Sequence, residues 1–255
     1  MKNAWIIYRK ELKGYYSSWI AYLLMAFFAV IFGYFFYVAT AIFVSRGMEA
    51  AMMGGGPPMD VNEWVVRPLL MNVSVIGLFL IPMITMRLFA EEKRSGTIEL
   101  LMTSPVRDYE MIAGKWLAAL TLYASILAIS AVNISVLFFY GKPDLKPILV
   151  GYLGLLLQGG SLLAVGTFIS TLTRNQILAV GGTFALCLLL WVLDWVSSYD
   201  SAAWAQVLAY LSVLTHFEPF SKGVIDTKNV IYYLSAIYLG LFLTARSMES
   251  LRWRA

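Results

Sequence analysis

One cysteine and one histidine in 255 residues leave little material for side-chain chemistry. Cys187 has no partner for a disulfide within the chain, so neither a redox pair nor a thiolate metal cluster can form, and its expected role is packing. His216 alone cannot build a histidine metal cluster or an H-E-x-x-H protease helix, and no G-x-S-x-G context accompanies it for a hydrolytic triad. It is expected as an interfacial side chain of an outer segment. The Walker A pattern is missing too. Gly114-Lys115 and Gly141-Lys142 lack both the upstream glycine and the following hydroxyl, so the chain cannot hold nucleotide in that way. Charge is scarce, at 13% of residues, where soluble domains carry about 25%. No basic arm with interleaved stacking aromatics is present, which excludes nucleic acid as an expected partner.

What the chain has instead is apolar length. Hydrophobic residues make up 60% of it and aromatics 15%. A hydrocarbon core of about 30 Å takes roughly 17 to 25 apolar residues in a helix. Six stretches qualify: Trp19 to Val44, Leu69 to Met86, Trp116 to Phe139, Ile148 to Thr171, Ile177 to Val196 and Asn229 to Ala245. None alternates polar and apolar residues as a barrel strand would. The expected fold is therefore an all-α integral membrane protein with six transmembrane helices, forming a single domain over 1–255.

Lysine and arginine set the orientation, because short basic loops stay on the cytoplasmic side. With the N-terminus inside, thirteen of the nineteen basic residues fall inside and eight of the fifteen acids outside. Both termini are thus expected in the cytoplasm, with the chain in a bacterial inner membrane. Met1 to Ser18 lacks a cleavable signal pattern, so the first span is expected to remain as an anchor.

Residues 1–18 carry Trp5, Tyr8, Leu12, Tyr15 and Trp19 at steps of three and four, with Arg9, Lys10 and Lys13 off that stripe. This is the pattern of a helix lying in the membrane interface, an elbow that turns into the bilayer at Gly14 or Ser17-Ser18. Arg46 to Val61, with its Gly54-Gly55-Gly56-Pro57-Pro58 run, is expected as an outer loop without regular structure. Pro82 predicts a kink near the inner end of the second span. Residues 197–228 are apolar but interrupted by Gln206, His216, Glu218 and Pro219. Counting them as a span would place the C-terminal arginines outside, so they are expected as a re-entrant or interfacial segment.

Polar residues deep in the spans are few. Asp194 lies near an outer span end beside Trp191 and Trp195, where a carboxylate is cheap, and is expected as an interfacial residue. Asn133 and Gln158 are the deepest polar residues. They are candidates to line a translocation path, or else to form interhelical hydrogen bonds.

The densest charge in the chain lies at Glu91 to Arg94, inside the cytoplasmic segment 87–115. Ser95-Gly96 breaks the preceding helix, Thr97 can cap a new one with Glu99 in its first turn, and Ser104-Pro105 stops it. The result is a short helix with Ile98, Leu100, Leu101 and Met102, too brief to span and in need of a cover. Either the protein's own inner ends or a soluble partner could supply it.

The run MRLFAEEKRSGTIELLMTSPVRDYEMIAGKW, Met86 to Trp116, resembles the signature of type-2 ABC transporter permeases, particularly their gliding-motility-associated branch. RKELKGYYSSWIAY from Arg9, RPLLMN from Arg67, GKPDLKPILVGYLGLLLQG from Gly141 and STLTRNQILA from Ser170 agree with it. The resemblance implies a six-span permease half that pairs with a second half, a copy or a paralogue, and with two cytosolic ATP-binding subunits. Those subunits would hold the ATP and magnesium; this chain would bind no cofactor and catalyse nothing itself. Glu91, Glu92, Arg94, Gly96, Thr97, Ile98, Glu99, Leu100 and Leu101 would form the coupling helix seated on the ATPase. The function implied is ATP-driven export of an unidentified substrate. The alternative is a complex that relays ATPase state to an extracytoplasmic auxiliary subunit, as in gliding.

Overall fold

The structure, a computed structural model of the chain, describes residues 2–53, 59–98, 106–141, 143–199, 207–208 and 210–252. Every regular element among these residues is helical: α1 (Lys2–Ser17), α2 (Trp19–Met52), α3 (Arg67–Thr85), α4 (Ala90–Ser95), α5 (Asp108–Tyr140), α6 (Leu145–Leu172), α7 (Gln176–Tyr199), α8 (Val213–Ser221) and α9 (Thr227–Arg252). Six stretches among the described residues are long and apolar enough to cross a bilayer: α2, Asn62–Ser95 with α3 at its centre, α5, α6, α7 and α9. Each overlaps one of the six apolar runs of the sequence.

The bundle is built around α6, which packs against α3, α5, α7, α8 and α9. Lipid tails are as apolar as leucine, so helices in a membrane associate through close packing and small residues at the contacts. The glycines of α6 serve those contacts. A Cβ on Gly159 would stand 2.2 Å from the ring of Tyr123 on α5, and one on Gly154 would stand 2.5 Å from Phe220 Cβ on α8. Where α9 meets α6, a Cβ on Gly240 would stand 2.8 Å from the backbone of Ala164. Tyr123, Phe217 and Phe220 are fully buried in consequence. By contrast α2, α7 and α9 show most of their apolar length to the outside.

The chain turns between α1 and α2 at Ser18, whose extended backbone caps α2 and whose Oγ accepts the Ile20 N–H at 3.4 Å. This is one of the turning points expected from the sequence. α1 packs on the first half of α5: Asn3 Nδ2 donates to Glu110 Oε2 at 3.2 Å, and Gly114 lies against Ala4 and Ile7. Tyr8 and Tyr16 reach Thr121 and Ser125. Ala4, Ile7, Glu11 and Tyr15 thus face the bundle, whereas Trp5 and Trp19 of the expected stripe are exposed.

The connection between α2 and α3, expected as an outer loop, differs from expectation. α2 does not end near Val44 but continues through Arg46 to Met52, because Met48, Glu49, Ala50, Ala51 and Met52 are good helix formers and Gly47 alone does not outweigh them. Arg46 stacks over Trp64 at 4.9 Å from the ring centroid. Residues 54–58, the Gly-Pro run, lie outside the described residues. Asn62–Val66 forms one π-helical turn that leads into α3, and Pro82 sits in the last turn of that helix.

Within the expected outer segment, residues 200–206 and 209 and the side chain of Asp194 lie outside the described residues. α8 is described, capped by Ser212 and closed by Gly223 with φ 79°. His216 is not an interfacial side chain there. It is buried, with Nδ1 2.7 Å from Asn229 Oδ1 and Nε2 2.9 Å from the Tyr210 carbonyl oxygen, and it stacks on Tyr232. Arg67 at the start of α3 pairs with Glu218 at 3.2 Å, which ties α8 to the bundle from the other side.

Candidate functional site

The charged segment between α3 and α5 is gripped at both ends of α4. The backbone N–H groups of Phe89 and Ala90 both donate to Ser170 Oγ at 3.1 Å, so a serine from the end of α6 satisfies two orphan donors at the start of α4. The Lys93 ammonium donates to the carbonyl of Thr171, an orphan acceptor at the C-terminus of α6. Thr171 Oγ1 in turn lies 2.8 Å from Ser247 Oγ on α9. Glu91 and Glu92 in the first turn and Lys93 and Arg94 in the last follow the polarity of a helix dipole. Gly96 ends α4 in the left-handed region at φ 75°, as the Ser95-Gly96 pair predicts.

Two adjacent glutamates on α4 do different things. Glu92 points inward, where its Oε1 lies 2.7 Å from Lys115 Nζ on α5. The same ammonium lies 2.9 Å from Glu11 Oε1 on α1 and 5.3 Å from the centroid of the Phe89 ring. Lys115 is 2% exposed, so one enclosed cation joins α1, α4 and α5. The second oxygen of Glu92 is buried without a hydrogen-bond partner. Glu91 points outward, half exposed, and pairs with Arg87 at 3.4 Å. Arg87 also donates to Ser18 Oγ at 3.3 Å, and Tyr15 donates to the Ile84 carbonyl at 3.2 Å, so the turn between α1 and α2 is tied to the same place.

Of the residues singled out for the coupling helix, Glu91, Arg94, Gly96 and Thr97 share the exposed side of this segment, and Ile98 packs against the core. Ser95 Oγ and Thr97 Oγ1 lie 2.8 Å apart. Thr97 and Ile98 are helical, whereas Glu99, Leu100 and Leu101 lie outside the described residues. The sequence reading did not single out Glu11, Ser170 or Lys115. Lys115 carried a signal: it is the last charge before the long apolar run of α5, a place where an unpaired cation would be costly.

The two deep polar residues are placed apart from each other. Gln158 is 3% exposed, and its amide meets Ser74 Oγ of α3, with Nε2 at 2.7 Å and Oε1 at 2.9 Å. Asn133 donates to the Ile129 carbonyl of its own helix at 3.1 Å. A separate groove of about 740 Å³ opens between α2, α3 and α7, lined by Phe27, Phe35, Phe79, Met83 and Phe184, with Asn72 as its one amide.

The family described as ABC-2 family transporter protein matches residues 5–244. The chain is also 26% identical over 170 residues to a protein described as a probable multidrug ABC transporter permease, YbhR, of Escherichia coli strain K12, and equally to its counterpart in strain O157:H7. The matched stretch covers 66% of this chain and 45% of the relative, so the chain spans less than half the length of the curated relatives it matches. The finer resemblance to the gliding-motility branch rests on the quoted stretches alone. Members of the matched family are membrane transport subunits, not catalytic ones, and work with a cytosolic ATP-binding subunit. A helical bundle with six apolar helices long enough to cross a bilayer, matched to the family from Trp5 to Thr244, makes this chain a member of the ABC-2 transporter permease family.

Proposed function

We propose that the chain is the membrane half of an ATP-driven exporter and that residues 87–115 receive the movement of a cytosolic ATPase. The observation that carries this reading is the division of labour on α4. Glu92 and Lys93 fasten the helix to α1, α5 and α6, while Glu91, Arg94 and Thr97 are left on its exposed side. A push on that side reaches the bundle through the Lys115 ion pairs and through Ser170, because those contacts hold α4 to helices that run the length of the membrane. Coupling by this route needs ATPase contacts that differ between nucleotide states. ATP and magnesium belong to the partner subunit, of which two copies act with two permease halves. Both termini of the chain lie in the cytoplasm.

The groove between α2, α3 and α7 supports an amphipathic, largely apolar cargo. Its aromatic lining with one amide is the composition of a small-molecule site, and the multidrug description of the matched relative agrees with it.

The test is to purify the chain with the cytosolic ATPase that it retains and compare wild type with Glu91→Lys and Leu100→Asp. Recovery of the complex, or the ATP hydrolysis rate within it, should fall in both variants while membrane insertion is unchanged. Normal assembly and normal hydrolysis in both would remove the docking assignment.

A further inference from the structure

α1 has three flanks, which packing on the bundle occupies unequally: Tyr8 on the second still reaches Thr121 of α5 at 3.2 Å. At about 100° per residue, Ala4, Ile7, Glu11 and Tyr15 fall together on the flank that meets the bundle. Trp5, Tyr8 and Leu12 form a second, with Trp19 following the turn. Arg9, Lys10 and Lys13 form the third. Arg9, Lys10 and Lys13 are exposed, as are Trp5 at 54% and Trp19 at 71%. The single carboxylate of α1, Glu11, is turned away and occupied by Lys115 at 2.9 Å. The outward side of the helix therefore holds cations and aromatic rings with no acid among them. The two sets adjoin: the Arg9 guanidinium lies 5.2 Å from the Trp5 ring centroid, and Trp5 stacks on Tyr8 at 4.8 Å.

The level of α1 along the bundle is also fixed. Glu11 meets α5 at Lys115, the last charged side chain before the apolar run of that helix, and Trp19 opens the apolar run of α2. Both mark the boundary between hydrocarbon and headgroups, where tryptophan concentrates. Cations placed beside interfacial aromatics at that depth meet lipid phosphates.

We propose that Arg9, Lys10 and Lys13 form a docking face for the phosphate groups of anionic phospholipids, with Trp5 and Trp19 anchored among the adjoining acyl chains. The lipid seats α1 from outside while the Lys115 ion pair seats it from inside. The charge complementarity and the exposed tryptophans favour a lipid surface over a protein as the occupant, because a soluble acidic partner would leave Trp5 and Trp19 uncovered. This reading stands whether or not the chain is an exporter.

The full chain, purified in mild detergent, would be offered phosphatidylglycerol and phosphatidylcholine of the same acyl composition, and retained lipid counted by native mass spectrometry. Wild type should retain the anionic lipid at least about fivefold over the zwitterionic one, and Arg9→Gln/Lys10→Gln/Lys13→Gln should abolish the preference. Lys228→Gln/Lys222→Gln, at the opposite end of the bundle, should leave it intact. Circular dichroism checks that each variant folds. Equal retention of both lipids by wild type overturns the proposal, as does a preference that survives the triple variant. Loss of the co-purifying ATPase from the triple variant, with lipid preference unchanged, would assign the face to a protein instead.

Discussion

Glu92 Oε1 and Lys115 Nζ lie 2.7 Å apart in an enclosed contact that joins the short α4 to the long α5. Glu11 shares the same ammonium, so removing the cation leaves two partly buried carboxylates facing each other. Breaking a buried pair by deleting one partner is costly because the other charge stays behind. Lys115→Met is expected to cost about 3 kcal/mol, seen as a lower midpoint of thermal unfolding in detergent. Lys115→Met combined with Glu11→Gln and Glu92→Gln should recover most of the loss, since no charge is then stranded. If the triple variant is no more stable than Lys115→Met, the contact is not electrostatic in origin.

Gln158 and Ser74 make the polar contact between α3 and α6, and both are buried. Hydrogen bonds between membrane helices contribute roughly 0.6 to 1.7 kcal/mol. A double-mutant cycle with Ser74→Ala and Gln158→Leu should return a coupling energy in that range. A coupling energy near zero would mean that the helices meet through their glycines alone.

The spans were legible because each is a long apolar run, and their helical state needs no tertiary information. Ser18 and Gly96 were legible as well, since a serine before an apolar helix and a glycine after a charged one are local signals. The roles of Glu91 and Glu92 were not. Neighbouring residues on a helix point about 100° apart, and which one turns inward depends on where Lys115 lies, 23 residues away in sequence. Which residues of α1 meet the bundle was not legible either, because Gly114 of α5, far away in sequence, is what admits Ala4 and Ile7 and leaves the Trp5 ring outside. The extra turns of α2 were hidden by the Gly-Pro run that follows them.

Glu218 gives the α8 end of the bundle a defined acid response. Its carboxyl is held below the ordinary carboxylate range by the hydrogen bond from Lys222 and by the charges of Lys222 and Arg67, against the opposing effect of partial burial. A carboxyl depressed in the folded state stabilises fully above its unfolded value and loses that contribution as pH falls through its folded value. Wild type should therefore be more stable than Glu218→Gln at about pH 6 and should converge with it as pH falls below about 4.5. Thermal midpoints measured across that range decide the point; a difference that does not change with pH would show that Glu218 acts only by packing.

His216 is the chain's one histidine, so labelling with [15N]histidine gives a single imidazole to observe. Its Nε2 faces the Tyr210 carbonyl at 2.9 Å, and a carbonyl can only accept, so Nε2 carries a proton whatever the charge of the ring. Nδ1 faces Asn229 Oδ1 at 2.7 Å, which suits the imidazolium. Half a turn of the Asn229 amide would present Nδ2 to a neutral ring, and Nδ2 is otherwise buried without a partner. The spectrum should therefore show Nε2 protonated. Replacing Asn229 with Leu should take away the partner of Nδ1 and lower thermal stability by about 1 to 3 kcal/mol, as expected for a buried polar group stripped of its partner. A neutral ring with its proton on Nδ1 would contradict the Tyr210 contact and with it the tie between α8 and the segment before it.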